Sequence, residues 1–198
     1  MNRKLRNVLC ILLILAGLGM IGAAGWVWFD GNVDRSGWVQ KDGVYSYKDF
    51  HGKKVTGWET IEGRIYHFDE AYRMQTGWCD LEVGRCYFGS DGVLRLGLTV
   101  IDGKTYYFGA DGSMQTGLVT LNKDVYYFGK DGNMQTGFVT MEDGTVLFFG
   151  ADGKQAMGLQ TVNGKTYYFS DLGMAVNAKQ TIDGKTYYFG ADGSMQTG

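Results

Sequence analysis

Proline is absent from the 198 residues, histidine occurs twice and cysteine three times. Basic residues are not in excess either: 19 Lys and Arg stand against 21 Asp and Glu, a formal net charge of −2. Phosphate recognition rests on clustered Lys and Arg, so the composition gives no electrostatic case for a nucleic-acid partner. His51 and His67 have no metal-ligand spacing, and no Ser, Cys or His constellation of a catalytic site accompanies them. The acidic residues mostly sit in Asp-Gly turns, and the glycine-rich nonapeptide of calcium-binding β-helices is missing. The chain therefore reads as a non-enzyme, with no catalytic residues, no metal and no cofactor expected.

Glycine and aromatic residues are what the chain has in quantity: 32 Gly, 13 Tyr, 11 Phe and 5 Trp. Glycine reaches φ > 0 without steric cost, and without proline the tight turns fall to it. Tyr, Phe and Trp favour pleated, half-buried strands. The combination predicts many short strands joined by tight turns.

The N-terminus differs from the rest. Arg3, Lys4 and Arg6 precede an apolar run from Val8 to Ala24, and Asp30 and Asp34 follow it. That charge order predicts the N-terminus inside and the remainder outside. Residues 1–25 read as a signal peptide or a signal-anchor helix, with Gly22 and Ala24 as the small residues of a cleavage site. The membrane is involved only through this segment, if it is retained. The expected location is exported, at the cell surface or secreted.

Repetition decides the architecture. Gly37, Gly57, Gly77, Gly97, Gly117 and Gly137 follow one another at twenty-residue intervals; Gly158 comes one residue late, and Ala178 and Gly198 restore the spacing. The stretches Ile101 to Gly117 and Ile182 to Gly198 are identical. Within a unit, LTVI and KTYYF flank Asp102-Gly103, the signature of a two-residue type I′ hairpin turn. Asp42-Gly43, Asn163-Gly164 and Asp183-Gly184 are equivalent. Counting back eighty residues from Tyr106 to Phe108 lands on Trp26 to Trp28, so residues 26–36 read as a degenerate half-repeat and 37–198 as the full array. A lone hairpin is marginal and these are apolar on both faces, so they must stack. The fold expected is all-β: a solenoid of stacked hairpins of about 20 residues, preceded by an apolar helix. Met114, Met134 and Met195 would fill gaps between units.

Cys79 and Cys86 fall at positions that face each other across one hairpin, as Thr99 and Tyr106 do in the next. Opposed Cα atoms lie about 4.5–5.5 Å apart, within disulfide range. In an exported chain this predicts a Cys79–Cys86 disulfide.

The pattern G-W-x-x-x-x-G-x-x-Y-x-F, followed by D-G and M-x-T-G, resembles the cell-wall-binding repeats of Gram-positive surface proteins over Trp38 to Gly198. That family includes choline-binding modules, the glucan-binding ends of glucosyltransferases and clostridial toxin repeats. The resemblance implies a hairpin solenoid that binds a wall or extracellular polysaccharide between adjacent hairpins. A choline cage in the family uses the junction Trp, an aromatic before the Tyr-Tyr pair, the next unit's Trp and an apolar connector residue. Carried over, the first groove would hold Trp38, Tyr45 and Trp58 with Lys54 at the connector place, and the second Trp58, Trp78 and Met74 with Ile65. Later junctions carry Leu98, Leu118, Phe138 and Leu159, and Thr105 or Thr186 replaces the wall aromatic. On this assignment no cage is complete. The expectation is then sugar binding, with Lys104, Tyr106, Tyr107 and Gln115 and their repeats Lys185, Tyr187, Tyr188 and Gln196 as contacts. The alternatives are choline-bearing teichoic acid at the early Trp units, or a surface spacer or adhesion stalk that binds nothing.

Overall fold

The computed structural model describes residues 34–196. The expected apolar helix over 1–25 and the half-repeat up to residue 33 lie outside the described residues. Among the described residues no helix is long and apolar enough to cross a membrane.

The described chain is all-β and consists of eight hairpins. They are β1 (Gly37–Lys41) with β2 (Val44–Lys48), β3 (Gly57–Ile61) with β4 (Arg64–Phe68), β5 (Gly77–Leu81) with β6 (Gly84–Phe88), and β7 (Gly97–Ile101) with β8 (Lys104–Phe108). There follow β9 (Gly117–Leu121) with β10 (Asp124–Phe128), β11 (Gly137–Thr140) with β12 (Val146–Phe149), β13 (Gly158–Val162) with β14 (Lys165–Ser170), and β16 (Ala178–Ile182) with β17 (Lys185–Phe189). The short strand β15 (Gly173–Met174) adds to β14. Among the described residues two compact units result, 34–99 with 107–114, and 100–106 with 115–196.

The turns are those the sequence predicts. Asp42, Asp102, Asn163 and Asp183 have φ of 49–52°, and the glycine after each is also positive, as a type I′ turn requires. Glu82 and Val83 do not take up that geometry; Gly84, at φ +121°, absorbs the bend instead. The added residue before Gly158 is accommodated at the tip of β11–β12, where the Met141 amide donates to the Thr145 carbonyl at 2.7 Å.

A two-stranded sheet has no interior, so the core has to come from stacking. Phe68, Phe88, Phe108, Phe128, Phe149, Phe169 and Phe189, the last aromatic of each second strand after the first hairpin, are at most 1% exposed. Within the first unit the connector after each hairpin hydrogen-bonds back to the hairpin before it. The amides of Met74, Leu94 and Met114 donate to the carbonyls of Tyr45, Ile65 and Arg85 at 2.7–2.9 Å. The second unit repeats this with Met134 to Thr105, Gln155 to Val125 and Met195 to Thr166, each at 2.7 Å. The connector glycines follow from this return. A Cβ on Gly92, at φ +74°, would stand 2.2 Å from Met74 Sδ.

Removing one ring of this series should open a cavity in the core. Phe128→Ala is expected to cost about 3–5 kcal/mol, read by chemical or thermal denaturation, whereas Val100→Ala, on a residue 69% exposed, should change stability by less than about 0.5 kcal/mol. His67 gives a pH-dependent prediction. It occupies the register position of Tyr47 and Tyr87, its Nδ1 is buried without a hydrogen-bond partner, and Trp58 lies 5.0 Å away. Burial pushes its pKa below the ordinary 6.5, with Asp69 opposing. The unfolded chain therefore binds the proton first, and stability present above pH 6.5 declines as pH falls below it. Thermal melts from pH 7 to pH 5 should show a steeper loss in the native chain than in His67→Tyr; equal slopes would contradict this.

Candidate functional site

The return of the connector determines which side chains meet in a groove. In the first unit, a groove of about 330 Å³ is lined by Trp38 of β1, Tyr45 of β2, Tyr66 of β4 and Met74 of the following connector, with Ser90 and Asp91 at its rim. The Trp38 ring meets Tyr45 at 6.5 Å and 83° and Tyr66 at 5.0 Å and 69°. The rings stand nearly perpendicular, as the walls of a box. Trp38 and Tyr45 are about two-fifths exposed, while Tyr66 is buried and Met74 half-buried. Trp38 also packs at 5.9 Å on Phe68, so the core ring holds the wall in place. Despite partial desolvation, the Val93 amide and the Arg95 guanidinium, 2.9 Å away, keep the Asp91 carboxyl below the usual carboxylate range.

This corrects the composition of both grooves expected from the sequence. Trp58 is not a wall of the first groove; it packs on His67 and, at 5.8 Å, on Phe88. Lys54 is not in it either, since its amine lies 5.9 Å from the Tyr72 ring. Met74 joins Trp38 and Tyr45 rather than Trp58 and Trp78. The physical reason is the backward hydrogen bond from Met74 to Tyr45, which sets one groove from two successive hairpins and the second one's connector. Trp38, Tyr45, Tyr66 and Met74 are thus spaced by seven, twenty-one and eight residues, a signal legible in the sequence once that return is known. Tyr66 was the functional candidate missed.

The same spacing locates what replaced the cage elsewhere. In the next register it gives Trp58, Ile65, Cys86 and Leu94, and there the last three are buried in one solid apolar cluster against which Trp58 packs. In the following one Arg85 takes the wall position, with its guanidinium 4.9 Å from the Trp78 ring. Within the second unit Phe138 meets Tyr167 at 5.1 Å, but Val146 holds the wall position. The larger cleft of that unit, about 750 Å³, has Tyr127 and Phe128 with Leu118, Leu147 and Leu172 beside Lys130, Glu142, Asp143 and Asp171, a mixed aliphatic, aromatic and charged lining.

The sugar-type candidates do not converge. Tyr187 and Tyr188 pair with Gln180 and Lys179 and, as neighbours in a strand, point to opposite faces. Tyr106 and Tyr107 alternate in the same way along β8, both half-buried, while Lys104 and Lys185 are exposed. Gln115 is half-buried, and the Gln196 amide is turned inward to donate to the Ser194 carbonyl at 2.8 Å.

Cys79 and Cys86 are register partners, as the sequence indicates, but they stand as free thiols, so the structure does not support the expected disulfide. Cys79 Sγ donates to Gln75 Oε1 at 3.4 Å, and Cys86 Sγ, in a fully buried residue, to the Gly84 carbonyl at 3.6 Å. Burial, with Asp111 and Cys79 adding, pushes the Cys86 thiol up to about 12, and burial raises Cys79 as well. The thiolate is the species that forms disulfides, and this environment suppresses it.

Comparison with known proteins bears on these grooves. Residues 96–137 match the family model of the choline-binding repeat, and residues 157–173 and 180–195 that of the cell wall binding repeat. No curated protein sequence matches the chain. Among solved structures it is similar to choline binding protein F from Streptococcus pneumoniae, determined in the presence of a peptidoglycan analogue, with 29% identity and a TM-score of 0.75 over 82% of this chain and 58% of that one. A second crystal form of that protein gives 30% identity and a TM-score of 0.74 over 82% and 57%. CbpJ from Streptococcus pneumoniae gives 28% and 0.73 over 81% and 58%. The chain thus spans less than three-fifths of these solved relatives.

Alkylation without reductant, followed by peptide mapping, checks the cysteines. Cys79 should react slowly in the folded protein and Cys86 only after unfolding. A cross-linked Cys79–Cys86 peptide would refute the free-thiol state.

Proposed function

We propose, because its repeats belong to the choline-binding type of cell-wall-binding repeat, that this chain is a non-catalytic module that holds a choline-bearing polymer of a bacterial cell surface. The first groove supports this reading. Three aromatic rings and a thioether enclose it on the inner sides, and a charged carboxylate, Asp91, stands at its rim. The faces of aromatic rings carry the negative part of the quadrupole and attract a quaternary ammonium that cannot donate a hydrogen bond. A sugar ring would use the hydroxyls of Tyr45 and Tyr66, the Trp38 indole N–H, Ser90 and Asp91 around its rim, whereas the ring faces and the thioether suit a cation that makes no hydrogen bond. On this reading the glycan is engaged through its choline substituents.

Trp38 makes contact with both other rings, so it is the side chain to remove. Trp38→Ala is expected to weaken choline binding at least tenfold, about 1.4 kcal/mol, in titration calorimetry, and to release the chain from a choline resin. Retention on purified glucan with no retention on the choline resin would overturn the reading. So would a Trp38→Ala variant that binds choline unchanged.

A further inference from the structure

We infer that Arg85 is an internal occupant of the groove at Trp78, a tethered cation that closes this groove to the quaternary ammonium which the first groove takes. The inference rests on the choline reading of the first groove.

The two grooves have the same backbone. Met114 donates to the Arg85 carbonyl at 2.7 Å as Met74 does to that of Tyr45 at 2.8 Å. Arg85 is opposite Asp80 in the β5–β6 register, as Tyr45 is opposite Gln40 in β1–β2. Trp78 occupies the position of Trp38: it packs edge-on against Tyr87 at 5.1 Å and at 5.8 Å on Phe108, as Trp38 does on Tyr47 at 5.3 Å and on Phe68 at 5.9 Å. What differs among the residues of this unit is the wall. Where Tyr45 presents a ring to Trp38, Arg85 lays its guanidinium 4.9 Å from the centre of the Trp78 ring.

That geometry is a cation–π contact, the interaction by which an aromatic groove would hold choline. A free ligand has to displace a cation fixed to the same hairpin, which competes at an effective concentration of about millimolar or more. It also meets like charge at close range. Asp80 approaches Arg85 Nε at 3.8 Å, but at 86% exposure its carboxylate is largely solvated and does not draw the guanidinium off the ring. Replacement of one wall residue thus converts a cation-binding groove into one already satisfied by its own chain.

Restoring the ring tests this. Equilibrium dialysis with labelled choline should show one more site per chain in Arg85→Tyr than in the native protein, and Arg85→Tyr with Trp78→Ala should lose it again. Arg85→Ala, which removes only an exposed side chain, provides a second reading: in a Trp38→Phe background, which takes Trp38 out of the signal, choline should change the emission when Arg85 is replaced and not when it is retained. An unchanged site count in Arg85→Tyr, an unchanged emission in Arg85→Ala, or a native site already lost in Trp78→Ala would each overturn the inference. The first groove is judged separately by Trp38→Ala. Loss of its site alongside an unaltered count in Arg85→Tyr would leave the choline reading standing and the role of Arg85 wrong.

Discussion

The structure depends on burying one phenylalanine per repeat. A hairpin of two five-residue strands has nothing to cover either face, yet the seven rings from Phe68 to Phe189 are sealed to 1% exposure or less. Several segments achieve this together. The second strand presents the ring, the connector after it bridges back to that ring, as Phe68 with Met74 and Phe128 with Met134, and the aromatic of the preceding hairpin packs over it. Each unit supplies cover that its neighbour lacks, so stability is a property of neighbouring pairs and not of single repeats.

The grooves are a by-product of that arrangement. For the connector to cover one ring, it has to return to the previous hairpin, and this brings a junction residue, a wall residue, the next hairpin's inner residue and a connector side chain around one space. The ring at the bottom holds the backbone whatever the groove contains. The cage positions are therefore free to diverge: to Ile65, Cys86 and Leu94, which fill their groove solidly, or to Thr105 and Val125, which keep the backbone bond alone. The connector side chain is bounded by a glycine a turn later, as Met74 is by Gly92, Leu94 by Gly112 and Met134 by Gly153.

Much of the fold was legible in the sequence because its signals are local. The twenty-residue period, the Asp-Gly turns and the aromatic strands each report on a few adjacent residues, and the Cys79–Cys86 register follows from them. Groove composition is not local. Pairing Trp38 with the next junction tryptophan, Trp58, is natural along the chain, yet the contact in space is with Tyr66, on the other strand of that hairpin. Without the backward hydrogen bond from the connector, Met74 is assigned one groove too late and Lys54 is placed where it does not stand. The disulfide failed for a different reason. Opposed Cα atoms are a necessary condition, but in this hairpin both sulfurs face the apolar cluster of Ile65, Phe88 and Leu94, where a protonated thiol is the favoured state.

Binding and spacing then cease to be rival descriptions of the array. Among the described residues, the groove of Trp38, Tyr45, Tyr66 and Met74 combines three aromatic rings with a thioether. Avidity from several sites in series requires several intact grooves. On the proposed reading, a single cage among the described residues gains no avidity from the number of repeats, and the other described hairpins would contribute reach and stability. Since the fold needs only the phenylalanine, the turn and the connector, a repeat can lose its cage and still extend the array. The same economy of constraint that makes the architecture easy to read makes the number of ligand sites hard to infer from the number of repeats.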